Sequence, residues 1–174
     1  NKLGIGNNRR LGNYYPLAIG AYEQTLLQMT AAYAGVANRG IYMKPMPFEE
    51  IRGPDDQVIW NRNKDGEKGF RALDKNVADT INWMLQEVVN TGTGIAASLD
   101  NRPVAGKTGT SEGARDLWFI GSIPQLTTGI WFGFDNNKAT NLGSGQAAWA
   151  WKQFMSQIET NFQILKFPQK PSTN

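Results

Sequence analysis

The sequence predicts an α+β fold in which helices cover an antiparallel β-sheet. Three segments, near residues 25–38, 74–91 and 146–162, carry apolar residues at the 3.6-residue spacing of helices. Three strand-like segments follow one another between residues 103 and 134, separated only by short turns, which predicts an antiparallel meander. Such grouping of helices and strands along a chain is typical of α+β domains. The 174 residues, of which 40% are hydrophobic, are enough for one compact core.

The composition excludes several classes of site. The chain contains 0 His and 0 Cys, which excludes disulfides, Cys/His zinc sites and His-dependent catalytic triads. Any acid/base catalyst must then be Lys, Asp, Glu or Tyr, and we expect neither a metal nor a cofactor. The net charge of +3 is not concentrated in one basic segment, which argues against a nucleic-acid partner. No apolar run reaches the roughly 20 residues that span a bilayer.

Local signals place the elements before the meander. Thr25 and Gln28 have the spacing of a capping box, which predicts a helix that ends at Asn38-Arg39-Gly40. Ile41–Met43 and Val58–Trp60 flank a strong turn signal at residues 53–56, which predicts a hairpin or a pair of short strands. Residues 1–22 are predicted to form an extended or looped segment, and residues 61–69 a polar loop.

A second helix is predicted from Asp74, a suitable N-cap, to the segment Thr91-Gly92-Thr93-Gly94. A short helical turn is expected at Ile95–Leu99. The predicted buried stripe of the helix consists of Val77, Ile81, Met84, Leu85 and Val88. Asp79 and Glu87 lie outside this stripe, so we expect both carboxylates to be solvated.

The predicted meander and the last helix complete the fold. The strand candidates are Pro103–Ser111, Leu117–Ile123 and Leu126–Phe134. The last helix, Gln146–Phe162, has a predicted buried stripe of Ala147, Trp151, Phe154, Ile158 and Phe162. Trp118, Trp131 and Trp151 are expected in the core, and Trp60 and Trp149 at the surface. The polar tail, residues 168–174, is predicted to be disordered.

The first strand candidate contains Val104-Ala105-Gly106-Lys107-Thr108-Gly109-Thr110-Ser111. This motif has two possible chemical interpretations. Gly106-Lys107-Thr108 matches the end of a phosphate-binding loop. That motif also requires a Gly at position 101, where this chain has Asn101, and a strand before it and a helix after it. The predicted order here is the reverse, so the sequence argues strongly against a phosphate loop.

The second interpretation is that the motif is the Lys-Thr-Gly element of penicillin-recognising serine enzymes. Lys107 beside the hydroxyls of Thr108 and Thr110 suits a terminal carboxylate. Gly109 leaves room for a peptide to approach the backbone, and an exposed strand edge admits that peptide as a further strand. The backbone N–H of Thr110 suits the oxyanion of an acyl-transfer intermediate.

The flanking sequence resembles the class A, bifunctional penicillin-binding proteins from about residue 12 to residue 158. The matching text comprises Ala18-Ile19-Gly20, Gln24-Thr25, Ala32-Tyr33-Ala34, Thr91-Gly92-Thr93-Gly94, Arg115-Asp116-x-Trp118-Phe119-x-Gly121 and Leu126-Thr127-Thr128-Gly129-x-Trp131-x-Gly133-x-Asp135-Asn136. Several matched segments in the family's order are far more specific than the tetrapeptide alone.

The resemblance implies a penicillin-binding-protein or serine-β-lactamase-like fold, with three strands here of a five-stranded sheet. It also implies a D,D-transpeptidase that transfers an acyl group from D-alanyl-D-alanine stem peptides through an acyl-serine, and that β-lactams inhibit. Lys107 and Thr110 would be catalytic residues. The substrate-binding residues would be Lys107, Thr108, Gly109, Thr110 and Ser111. For Arg115 and Asp116 a catalytic role is the alternative, and a structural ion pair or a turn at the strand junction is favoured over it.

This sequence departs from the family pattern at the nucleophile. None of its serines (Ser98, Ser111, Ser122, Ser144, Ser156 and Ser172) is followed by Lys three residues on. The Ser-x-Asn element is also absent upstream of Lys107, and the match at Ser172 is in the tail. We therefore interpret residues 1–174 as the C-terminal portion of a transpeptidase domain whose catalytic serine lies upstream, and we expect this portion alone to be inactive.

The resemblance gives the parent protein an N-terminal membrane anchor, a glycosyltransferase domain and a location on the outer face of the cytoplasmic membrane. The expected partners are peptidoglycan stem peptides, β-lactams and the upstream half of the same domain. The sheet surface that this half would cover predicts self-association of the isolated portion. Two alternatives stay open: a serine β-lactamase or D,D-carboxypeptidase, and a non-catalytic module that binds peptidoglycan or a partner.

Overall fold

The computed structural model describes residues 2–6, 15, 20 and 22–172 and has the predicted α+β architecture. Most of the predicted loop at residues 1–22, including the whole segment Ala18-Ile19, lies outside these residues. The helices are α1 (Leu26–Ala37), α2 (Arg62–Asp65), α3 (Lys75–Asn90) and α4 (Ser144–Ile158). The strands are β1 (Ile41–Tyr42), β2 (Glu50–Arg52), β3 (Val58–Asn61), β4 (Phe70–Arg71), β5 (Ala105–Thr110), β6 (Asp116–Ile123) and β7 (Leu126–Gly133). Single 3₁₀ turns occur at Ile95–Ala97, Glu112–Ala114 and Glu159–Asn161.

The central sheet is the predicted antiparallel meander, with the strand order β5-β6-β7. Thr108 lies opposite Phe119, and Ile120 lies opposite Gly129. Because side chains alternate across a strand, Phe119 and Ile120 face opposite sides of the sheet. Two helices therefore have separate apolar faces on which to pack.

The two faces of the sheet are covered by α4 and α1. Trp151 of α4 is fully buried and meets Phe119 edge to face, with ring centroids 5.5 Å apart. On the other face, a Cβ atom at Gly129 would overlap Thr30 and Leu26, so the absence of a side chain there lets α1 approach β7 closely. The core is centred between α4 and the sheet and includes Leu117, Ile123 and Met155.

The buried face of α4 differs in part from the prediction. Ala147 and Trp151 are buried as predicted, but Met155 fills the next position and Phe154 is exposed. Trp149 is exposed, as predicted, whereas Trp60 is half-buried against Phe48, with ring centroids 5.3 Å apart. Trp118 and Trp131 are half-buried rather than part of the core.

The prediction for the start of α3 is confirmed, but the prediction for its buried stripe is wrong. Asp74 caps the helix by accepting from the N–H groups of Asn76 and Val77. The buried residues are Ala78, Asp79, Asn82 and Val89, whereas Val77 and Met84 are exposed. The end of α1 supplies partners for the two polar side chains, which is why they can be buried.

Asp79, expected to be solvated, is only 3% exposed. Arg39 donates two hydrogen bonds to its carboxylate, from Nε to Oδ1 at 3.0 Å and from Nη2 to Oδ2 at 2.6 Å. These hydrogen bonds from Arg39 are the main reason that the pKa of the guanidinium lies above its ordinary value. The amide of Asn82 donates to the carbonyl of Val36 at 2.9 Å, so a second polar contact joins α3 to α1. Glu87 is exposed, as predicted.

The predicted hairpin forms with a different partner strand. The turn is where the sequence places it, with Gly53 N–H donating to the Gln57 carbonyl at 2.9 Å, but it joins β2 to β3. β1 pairs with β4 instead, and beside this pair the Gly40 carbonyl accepts from the N–H groups of Ala72 and Leu73. The loop predicted at residues 61–69 contains the single-turn helix α2.

The last described residues, 163–172, form neither helix nor strand. Phe167 is buried, and the Lys170 ammonium lies 4.3 Å from the centroid of the Trp83 ring. The disorder expected for residues 168–174 stays a prediction, and residues 173–174 lie outside the described part. Within the described ranges, no helix is both long and apolar enough to cross a bilayer.

We predict that Gly121→Ala destabilises the chain by about 2 kcal/mol, the cost of overpacking a filled core. A Cβ atom at this position would lie 2.6 Å from Phe119 and 2.7 Å from Trp151, both of which are buried. Gly145→Ala in α4 is the control, because its new methyl group meets nothing within 4 Å. That change, in the first turn of the helix, is expected to alter stability by no more than about 0.5 kcal/mol. Urea unfolding measures both, and equal effects would contradict this account of the core.

We also predict that Asp79→Ala lowers the urea midpoint, because it removes the carboxylate that joins α3 to the end of α1. Glu87→Ala, on the same helix but at the surface, should change stability by no more than about 0.5 kcal/mol. If the two variants unfold at the same urea concentration, the ion pair does not hold the helices together.

Candidate functional site at the open edge of strand β5

The predicted site residues lie together on β5 and at its C-terminal end, and the hydrogen-bond register fixes their directions. The N–H of Ser111 donates to the Asp116 carbonyl at 3.0 Å. Since hydrogen-bonded and non-hydrogen-bonded pairs alternate in an antiparallel ladder, Lys107 and Gly109 also pair with β6. The N–H and C=O groups of Thr108 and Thr110 therefore point to the opposite edge, where β5 has no strand neighbour among the described residues.

Lys107 places a positive charge beside this open edge. Its side chain is exposed, and its Nζ donates to the Thr108 carbonyl at 3.1 Å. That carbonyl is one of the groups that β6 leaves unpaired. The ammonium retains further donor capacity, because a Lys side chain carries three N–H groups. An arriving carboxylate would meet a fixed cation next to free backbone donors.

The hydroxyl of Thr108 has a partner that the sequence analysis did not identify. Thr108 is 8% exposed, and its Oγ1 lies 2.7 Å from Oγ1 of Thr93. Each hydroxyl has one proton. If Thr93 donates, the proton of Thr108 is free for a ligand. Residues 91–94 are among the segments that match the family in sequence, but only the fold shows that this loop lies beside β5.

Gly109 leaves the strand surface open. Its partner on β6 is Trp118, and a Cβ atom at position 109 would lie 3.2 Å from the Cβ of that residue. A larger side chain would have to displace the tryptophan or stand over the strand. The neighbouring Thr110 is exposed, so both its hydroxyl and its outward N–H are accessible.

Ser111 and Asp116 close the far end of the site. The Ser111 hydroxyl donates to Oδ2 of Asp116 at 2.9 Å and accepts from the N–H of Asp116 at 2.8 Å. Trp131 donates its indole N–H to Oδ1 at 2.9 Å. The strand junction is thus a turn, one of the two predicted arrangements. Asp116 bonds to Ser111 and Trp131 rather than forming the expected pair with Arg115, which is exposed.

This geometry fits the recognition of an extended peptide that ends in a carboxylate. The open edge offers unpaired backbone groups for a further strand. A lysine and two threonine hydroxyls lie on the same short stretch of strand. The chain offers hydrogen-bond donors of the kind that a carboxylate and an oxyanion require.

Comparison with known proteins identifies the family of this chain. The family model described as the penicillin-binding protein transpeptidase domain matches residues 4–156. The chain is 37% identical to penicillin-binding protein 1A of Aquifex aeolicus over 160 residues, which is 90% of this chain and 21% of that protein. It is 31% identical to penicillin-binding protein 1A of Mycolicibacterium smegmatis over 169 residues, again 90% and 21%. The chain thus spans about a fifth of the length of these relatives.

Solved structures share the fold. Penicillin-binding protein 1A from Haemophilus influenzae superposes with a TM-score of 0.82 at 23% identity, over 98% of this chain and 31% of that one. The PonA1 protein from Mycobacterium tuberculosis, solved in complex with penicillin V, gives a TM-score of 0.80 at 22% identity, over 90% of this chain and 44% of that one. The resemblance inferred from the sequence is confirmed: this chain belongs to the penicillin-binding protein transpeptidase domain family, among relatives of the penicillin-binding protein 1A type.

Proposed function

We propose that the chain is the C-terminal, substrate-binding part of a D,D-transpeptidase that cross-links peptidoglycan. The observation that carries the proposal is the open edge of β5. Lys107 and Thr110 present a cation, a hydroxyl and an outward backbone N–H there, and the hydroxyl of Thr108, which is 8% exposed, lies on the same strand. The stem peptide would add along this edge, and Lys107 with the two threonine hydroxyls would hold its terminal carboxylate.

The chemistry is acyl transfer in two steps. A serine oxygen attacks the carbonyl carbon of the penultimate D-alanine, the C–N bond breaks, and the terminal D-alanine leaves with a proton on its amine. An amine of a neighbouring stem peptide then attacks the ester and releases the serine. The outward N–H of Thr110 would be one donor to the oxyanion in both steps, and Lys107 would belong to the hydrogen-bond network around the serine.

A β-lactam would undergo the first step only. When its ring opens, the leaving amine stays attached to the acyl-serine and keeps the acceptor amine out of the site. Penicillin carries a carboxylate next to its lactam ring, so the same donors would serve it. The complex of the related PonA1 protein with penicillin V supports this extension. Ser111 would contact ligand less directly, since its hydroxyl proton is donated to Asp116.

The nucleophilic serine would lie upstream of these 174 residues, which contain no Ser-x-x-Lys sequence. On this proposal, residues 1–174 alone are inactive, and the upstream half of the domain is their first partner. The parent protein would also carry a glycosyltransferase domain and an N-terminal membrane anchor, and it would work on the outer face of the cytoplasmic membrane. Exposed apolar side chains such as Phe132 and Phe134 at the end of β7 favour self-association of the isolated portion.

We predict that penicillin forms a covalent adduct only with a polypeptide extended upstream by roughly 200 residues, about the size of a further domain. Intact mass after incubation measures this for the extended polypeptide and for the 174-residue chain in parallel. An adduct on the shorter chain would place a nucleophile within it. The absence of an adduct on either would contradict the proposed transpeptidase and favour a binding module.

We further predict that Thr108→Val lowers the rate constant of acylation by penicillin about tenfold or more in the extended polypeptide, because one hydrogen bond to a carboxylate is lost. Valine matches threonine in shape, so the buried site stays filled. Thr108→Ser keeps the hydroxyl and should retain most of the rate. Stopped-flow acylation measures both, and equal rates for the two variants would rule out a carboxylate-binding role for this hydroxyl.

A further inference from the structure

We propose that Asp116 is a positioning residue for the acyl transfer, acting through a clamp that consists of Ser111, Asp116 and Trp131. The clamp would hold the C-terminal end of β5 so that the N–H of Thr110 keeps its direction at the open edge. This inference rests on the proposed function and adds to it a role for a carboxylate that does not touch substrate. Its basis is a set of contacts that connects all three strands of the sheet.

Four hydrogen bonds form the clamp. Ser111 contributes its N–H to the Asp116 carbonyl at 3.0 Å and its Oγ–H to Oδ2 at 2.9 Å. Asp116 returns its own N–H to Oγ of Ser111 at 2.8 Å. Trp131 on β7 donates to Oδ1 at 2.9 Å. Each carboxylate oxygen therefore has a donor, and Ser111 is held by both backbone and side chain.

A second observation shows how the sheet accommodates this contact. Asp116 lies opposite Gly133 on β7, while Trp131 is two residues away on the same face. The Trp131 ring reaches Asp116 by lying over Gly133, where a Cβ atom would overlap the six-membered ring of the indole. The glycine thus leaves the path free for the indole N–H, which is the only hydrogen-bond donor of the Trp131 side chain.

The turn between the two strands is held from its other side as well. The carbonyl of Ala114 accepts from both the N–H and the Oγ1 of Thr140, at 3.0 and 2.7 Å. Ala114 has a φ of 52°, a left-handed conformation that is unfavourable for a residue with a side chain. The clamp and Thr140 together hold a turn that its own backbone preferences would not maintain.

The peptide bond between Thr110 and Ser111 connects the clamp to Thr110. Fixing Ser111 restricts the backbone of Thr110, whose N–H would bind the oxyanion. Catalytic donors have to be held within about 0.5 Å of their productive position. With both oxygens of its carboxylate engaged, Asp116 is not poised to take a proton from substrate. Its contribution would be the rigidity of the strand end, so its loss should slow the chemical step more than it weakens binding.

The test uses the extended polypeptide and three variants. Trp131→Phe removes the indole N–H and keeps an aromatic ring. Asp116→Ala removes the carboxylate, and Asp116→Asn keeps an acceptor for Trp131 and offers a donor to Ser111. The matched control is Thr127→Val, which removes the Ser122–Thr127 hydroxyl contact of 2.9 Å at the other end of β6. Penicillin acylation is followed over a range of concentrations, and hydrogen exchange is measured in peptides that cover residues 105–117.

The expected result is a maximal acylation rate lowered about tenfold by Trp131→Phe and more by Asp116→Ala, with the half-saturating penicillin concentration unchanged. Asp116→Asn should recover part of the rate lost in Asp116→Ala. Exchange near Ser111 should become faster in the affected variants, while Thr127→Val changes neither readout. If Trp131→Phe and Thr127→Val have equal effects, or if only the half-saturating concentration changes, the clamp has no positioning role.

The two proposals fail in different ways. If the unsubstituted extended polypeptide forms no adduct, the proposed function is wrong. Hydrogen exchange then still tests the clamp, since faster exchange near Ser111 in Trp131→Phe supports it and unchanged exchange overturns it. If the unsubstituted polypeptide forms an adduct and all variants acylate at its rate, the function stands and the clamp proposal falls.

Discussion

The site depends on the one-sided pairing of β5. On one edge, β6 uses the backbone groups of Lys107 and Gly109 and thereby fixes the strand. On the other edge, the N–H and C=O groups of Thr108 and Thr110 have no strand neighbour within the described part of the chain. A strand paired on both edges would have no backbone donors left for a ligand, and an unpaired strand would not hold them in place. The same pairing thus supplies both the free donors and their rigidity.

Close packing behind the sheet keeps this edge in position. Gly106 and Gly121 lie opposite each other on β5 and β6, and a Cβ atom on either would meet Phe119. Their small size lets Phe119 and Trp151 fill the space between the sheet and α4. The hydroxyl of Thr108 is held by Thr93 from the loop that follows α3. The strand that would bind substrate is therefore supported both by a helix and by a loop, which pack on the same face of the sheet.

Sequence signals that act over a few residues predicted the structure well. Thr25 and Asp74 cap their helices as expected, and the three strands of the meander occur in order because short turns leave few alternatives. The failures concern contacts between residues far apart in the chain. Asp79 lies outside the predicted apolar stripe of α3, so the sequence predicts that it is exposed. It is buried because Arg39, forty residues away, pairs with its carboxylate. β1 likewise pairs with β4, about thirty residues away, rather than with a strand beside the nearby turn.

The same distinction applies to the site. The tetrapeptide around Lys107 was found from sequence because its residues are contiguous and each has a recognisable chemical use. The sequence does not predict Thr93 or Trp131 as site residues, because their contacts with Thr108 and Asp116 exist only after the sheet and the α3 loop have formed. On the proposed function, this difference has a physical reason. Groups that meet substrate must be close together on one strand, whereas groups that orient them can approach from any element that packs nearby. Residues of the second kind therefore carry no local signature and have to be located through the hydrogen bonds that they make.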